Sequence, residues 1–174
     1  MKPPREQLVL AFYPNTRGFA FVLFEGPFAP VDWGLVRLRG AEKNRTGVAR
    51  LAELLSRQRP DVVLLEDMFD GNSRRHDRIR DLNAAAQEAA SRAGIECIHY
   101  SQKQVHAQFV ELGAPKRYAR AAFIARRIPE FQRLRLLPPP RKVWNSESAR
   151  MAIFDAAALA ITFFEEMANE QFEQ

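Results

Sequence analysis

Apolar residues along this chain come in two rhythms. Leu8 to Tyr13 is a short, nearly unbroken apolar run, which predicts a buried strand. Asn15-Thr-Arg-Gly18 is a turn cluster, and Phe19 to Glu25 reads as a second strand rich in Phe and Val. Gly26-Pro27 and Pro30 punctuate the loop that follows. Val31 to Leu38 then alternates, through Val31, Trp33 and Leu35, as a third strand. Short loops join these three runs, so the simplest assembly is an antiparallel meander.

The rhythm then changes. Val48, Leu51, Leu54 and Leu55 have helical spacing within Asn44 to Arg59, and Pro60 ends that helix. Asp61-Val-Val-Leu-Leu-Glu66 reads as a central strand buried on both faces. A long Ala-rich helix is predicted from about Asn72 to Ala93, closed by Gly94. Ile95 to Tyr100 is a fifth strand, and Ser101 caps a helix over Gln102 to Val110. Another helix follows over about Lys116 to Arg127. The Pro- and Arg-rich stretch Pro129 to Lys142 reads as an exposed loop. Asn145 or Ser146 is then placed as the cap of a last helix to about Met167.

The expected fold is therefore α/β, a mixed five-stranded sheet with helices on both faces: a three-strand meander, then two strands added in parallel through helical crossovers. The 174 residues fit one domain, 1–174, with an acidic C-terminal tail over 165–174. The lone cysteine, Cys97, rules out an internal disulfide and reads as a small buried hydrophobe. No apolar run is long enough to span a bilayer, and the N-terminus lacks the features of a signal peptide, so a cytoplasmic protein is the default expectation. A formal net charge of +5 is concentrated in arginine clusters: Arg74, Arg75, Arg78 and Arg80 in one segment, and Lys116 to Lys142 in another. Such a surface suits a polyanion such as nucleic acid, or is simply solvated.

Two acids stand out. Glu66 closes a mid-sheet strand, where a charge is costly unless it meets water, a partner or a metal. Asp155 lies among small and apolar residues inside the last helix, where aspartate has poor propensity and no capping role. A structural hydrogen bond is the alternative reading for it. Together the two carboxylates are candidate ligands for Mg²⁺ or Mn²⁺. Asp67, Asp70 and Glu147 are weaker candidates to complete the set. If the last helix starts at Ser146, Glu147 sits about 12 Å along it from Asp155, a poor fit to one metal pair. His76, His99 and His106 show no metal-ligand spacing. No phosphate-binding glycine loop is present.

Three stretches carry a resemblance. Val63-Leu-Leu-Glu-Asp-Met-Phe69, Tyr100-Ser-Gln-Lys-Gln-Val105 and Phe154-Asp-Ala-Ala-Ala-Leu-Ala-Ile-Thr162 resemble, in order, motifs of the RuvC-type Holliday-junction resolvases within the RNase H-like superfamily. The resemblance covers Leu8 to about Phe163. It implies a Mg²⁺- or Mn²⁺-dependent endonuclease on branched or structured DNA, with Glu66 and Asp155 as catalytic metal ligands. It also implies that Lys103, Lys116 and Arg117 lie near the nucleic-acid face, with DNA favoured over RNA, and that the chain forms a homodimer; Arg74 and Arg75 join the nucleic-acid-binding candidates through the basic cluster that holds them. Two departures stand against activity. The family ends its first strand in Asp-Pro-Gly, where this chain has Tyr13-Pro14-Asn15. The family also places an acid or histidine three residues before the final Asp, where this chain has Ala152. The other readings are accordingly a catalytically inactive nucleic-acid-binding protein or a protein-interaction module on the same scaffold.

Overall fold

The computed structural model describes residues 7–69 and 76–174. The first three apolar runs form β1 (Val9–Asn15), β2 (Gly18–Phe24) and β3 (Pro30–Arg37), a continuous antiparallel meander. The β1–β2 turn requires a glycine: Gly18 has φ +152°, and a Cβ there would lie 1.9 Å from the Val36 carbonyl oxygen. Asn15 completes the turn, its Oδ1 accepting from the backbone N–H groups of Arg17 and Gly18. Helix α1 (Lys43–Gln58) crosses to β4 (Val62–Glu66), which pairs in parallel with β1. Helix α2 (Asp77–Arg92) crosses to β5 (Glu96–Tyr100), parallel to β4. The sheet order is β3-β2-β1-β4-β5, the mixed five-stranded arrangement expected from the run lengths.

Strand alternation sorts side chains into two cores. Leu10, Phe12, Val63 and Leu65 face α1 and α2. Val9, Ala11, Val62 and Leu64 face the other side, where α3 (Gln102–Glu111), α4 (Arg117–Arg127), α5 (Pro129–Arg133) and α6 (Met151–Phe172) pack. Burial on both faces explains why β4 carries no polar residue before its last position.

Three expectations change. The segment after Arg127 is not simply an exposed loop. Pro129 starts the short helix α5, and Phe131 is fully buried, its ring 5.2 Å from Trp33 and 5.7 Å from Phe154 in edge-to-face contact. The last helix begins at Met151 rather than at Asn145 or Ser146, so Glu147 lies on a turn before it. That helix also runs to Phe172, carrying most of the acidic segment 165–174 as helix. The predicted start of α2 near Asn72 falls outside the described residues. No helix among those described is long and apolar enough to cross a membrane.

Candidate functional site

The period of two along the strands places the first acid. Val62 and Leu64 face α6, so Glu66 does too. The printed ladder pairs Val9, Leu10 and Ala11 with Val62, Val63 and Leu64. Continued by two residues, this register sets Tyr13 beside Glu66 on the same face. Glu66 is 3% exposed and opposite Tyr100 on β5. Its strand end is held by Asn83 of α2, whose buried side-chain amide donates to the Glu66 carbonyl at 2.9 Å.

Helical spacing places the second acid. Ala152, Asp155, Ala158 and Leu159 recur at intervals of three and four on α6, and all four line one cavity of about 910 Å³ together with Tyr13 and Glu66. Alanine at 152 and 158 leaves room beside Asp155. Helix α3 opens onto the same cavity through Gln102, Lys103, Val105 and His106, and α4 through Arg117 and Arg120. The β1–β2 turn adds Asn15, Thr16 and Arg17, and the turn before α6 adds Glu147, Ser148 and Ala149. A capping box fixes the start of α3: Ser101 Oγ accepts from the Gln104 N–H, and the Gln104 side chain accepts from the Ser101 N–H.

The centre of the cleft is a charge cluster. Arg117 grips Asp155 with a two-pronged contact, Nε donating to Oδ1 at 3.0 Å and Nη2 to Oδ2. Its Nη1 donates to Glu147 Oε1. Asp155 is 9% exposed at its side chain and Arg117 40%, so the pair is shielded on the acid's side and reaches water on the arginine's. Burial by itself would lower the Arg117 pKa. The hydrogen bond and charge of Asp155, then the charges of Glu147 and Glu66, outweigh it and hold Arg117 above its ordinary value. Arg120, one turn later, is held below its ordinary value by burial, which outweighs the attraction of Asp155 and Glu66.

Glu66, Asp155 and Glu147 thus share one cleft, with Lys103 and Arg117. Glu147 arrives there because it lies outside α6; the helical spacing assumed from sequence does not apply to it. Asp67 is not among the cleft residues. The strand ends at Glu66, and the Asp67 carboxylate accepts from the Phe69 N–H in a local turn. Lys116 is the N-cap residue of α4 and is also absent from the lining. Asp70, Arg74 and Arg75 lie outside the described residues. Of the histidines, His76 caps α2, its Nδ1 accepting from the Arg78 N–H, whereas His106 lines the cleft. His106, Arg120 and Arg17 also line the cleft, although the sequence marks His106 only as a histidine without metal-ligand spacing and Arg120 only as one cation of the 116–142 cluster, and gives no sign of Arg17. The available signals were helical: His106 follows Lys103, and Arg120 follows Arg117, by three residues.

The donor set does not fit a two-metal carboxylate centre. The end of β1 offers the phenol of Tyr13, the position one turn before Asp155 is Ala152, and a guanidinium occupies the oxygens of Asp155 and bonds Glu147. Among the described residues, no group of three or more His, Cys, Asp or Glu is disposed to hold a metal ion.

The protein has the RuvC-type resolvase fold, an α/β architecture of the RNase H-like kind. It is similar to the Thermus thermophilus RuvC structure, with a TM-score of 0.64 and 23% identity over 93% of this chain and 97% of that one. The same enzyme's structure in complex with Holliday junction substrate gives a TM-score of 0.64 and 19% identity over 93% and 96%. The yeast mitochondrial Holliday junction resolvase Ydc2 gives 0.62 and 12% identity over 96% and 83%. No family model matches the chain, and no curated protein matches it.

Proposed function

We propose that this chain is a RuvC-like protein that binds branched or structured DNA in the cleft between the sheet end and α6 without hydrolysing it through metal ions. The observation that carries this reading is the contact of Arg117 with Asp155 and Glu147. A phosphodiester approaching three bare carboxylates is repelled. Here Glu66, Glu147 and Asp155 are opposed by Arg17, Lys103, Arg117 and Arg120 on the same lining, which leaves the cleft cationic by one charge. Arg117 offsets one of the two carboxylate charges it bonds, and Arg17, Lys103 and Arg120 offset the other acids and leave one positive charge over for a phosphate. The similarity in fold to resolvases, including one complexed with a Holliday junction, supports branched DNA as the ligand.

A second reading, a Mg²⁺- or Mn²⁺-dependent endonuclease using Glu66 and Asp155, is favoured by the placement of both acids on one cavity. One experiment separates the two. A labelled four-way junction is incubated with the protein in Mg²⁺ or Mn²⁺, at graded salt and with or without chelator. The expected result is salt-sensitive binding, indifferent to chelator, with intact strands. Mn²⁺-dependent cleavage that disappears in Glu66→Gln overturns the binding-only reading and establishes the second. Absence of both binding and cleavage removes both.

A further inference from the structure

The turn between α5 and α6 presents an indole to water. Val143 is 96% exposed and Trp144 79%. Tryptophan is ordinarily buried over most of its surface, so an indole this open has a free face to offer a ligand. The turn that carries it is held in shape: the Asn145 N–H donates to the Lys142 carbonyl at 3.0 Å, and Arg141 Nε reaches back to the Asn145 carbonyl at 2.9 Å. Lys142 Nζ lies 5.6 Å from the centre of the indole ring, stacking a cation against it. Glu147, Ser148 and Ala149 of the cleft wall follow within three to five residues. The chain from Trp144 to Glu147 spans at most about 10 Å, so the backbone that carries the indole lies within that distance of the cleft wall.

Charge identifies the partner. Residues 126–150 contain Arg126, Arg127, Arg133, Arg135, Arg141, Lys142 and Arg150 against Glu130 and Glu147. That surplus of five sits within 25 residues, whereas an equal surplus over residues 1–125 is spread five times more thinly and is cancelled by the five acids of 151–174. An exposed aromatic plane set among cations is the chemistry of a base-stacking platform: the cations meet phosphates, and the indole meets the flat face of a base. We propose that Trp144 is a stacking site for an unpaired nucleobase, with Arg141 and Lys142 holding the adjoining phosphates. A base inside a duplex has no free face, so the site selects junction centres, bulges and single strands over continuous duplex. This assignment rests on the nucleic-acid reading above.

The test compares the full-length protein with Trp144→Ala, Trp144→Phe and Lys142→Gln. The DNAs are a continuous duplex and the same duplex with an unpaired 2-aminopurine. Binding is followed by anisotropy and stacking by 2-aminopurine quenching. Trp144→Ala is expected to lose about tenfold in affinity for the unpaired-base DNA, with its quenching, and to leave duplex binding unchanged. Trp144→Phe restores part of both. Lys142→Gln weakens both DNAs equally and flattens the salt dependence. If wild type binds DNA but Trp144→Ala binds both DNAs as wild type does, or loses equally on both, the stacking site is wrong while the cleft reading stands. If wild type binds the four-way junction but neither of these DNAs, the stacking site falls alone; if it binds none of the three, both readings fall.

Discussion

Arg117 and Asp155 make unequal demands on each other. The carboxylate is nearly enclosed and depends on the guanidinium for its charge balance; the guanidinium still reaches water. Removing the arginine therefore leaves a shielded charge without its partner, and removing both leaves none. Arg117→Met is expected to destabilise the fold by about 1–3 kcal/mol, less than for a fully buried pair because the arginine is partly solvated. Adding Asp155→Asn is expected to recover most of that loss. Urea unfolding of the two single variants and the double variant checks the cycle. Additive losses would mean that the contact contributes nothing to the fold. Glu147 bonds to the same guanidinium from a half-exposed position, so Glu147→Gln is the milder perturbation of the cluster.

At the scale of elements, residues buried on both sides were easiest to read. Val62 to Leu65 have no polar residue to obscure the strand, and the meander is marked by Asn15-Thr-Arg-Gly18 and by Gly26 and Pro30. Glu66 and Asp155 could be singled out because charge beside such runs is costly. The start of α6 was misread because Asn145 and Ser146 have cap chemistry, yet that stretch folds as turns and the helix starts at Met151. Glu147 ranks only as a weaker candidate on sequence because a spacing of eight within a helix would set it about 12 Å from Asp155, a distance that does not apply to a turn residue. The Arg117 contact was illegible for a different reason: it joins residues 38 and 30 positions apart, through side-chain reach that no local pattern encodes. Phe131 was hidden by the polar and proline residues around it. Its ring locks α5 against Trp33 of β3 and Phe154 of α6, ahead of the turn that carries Trp144 and Glu147. Phe131→Ala is expected to cost about 3–5 kcal/mol. It should also quicken proteolysis between 134 and 150 before the rest of the chain yields. Cleavage of that turn at the wild-type rate would show that α5 does not anchor it.

Taken whole, the molecule divides its charge. The acids gather on the last helix, where residues 151–174 carry five carboxylates and no lysine or arginine, and the densest positive surplus lies along the segment 126–150 leading into it. On the proposed reading, long-range attraction would draw a nucleic-acid strand toward one end of the sheet, where four cations outnumber the three carboxylates on the cleft lining. Lys103 isolates this effect. It stands on the first turn of α3 and lines the cleft, but it takes no part in the Arg117 cluster. If its ammonium meets a phosphate, Lys103→Gln should weaken branched and duplex DNA by a similar factor. The slope of log K against log salt should fall by about 0.9, the value of one released counterion. Its stability should stay within about 0.5 kcal/mol of wild type, as for an exposed position without a buried partner. Affinity measured across a salt series decides the matter: an unchanged slope would move the phosphate path off α3 and leave the arginine-rich segment as the whole of the docking surface.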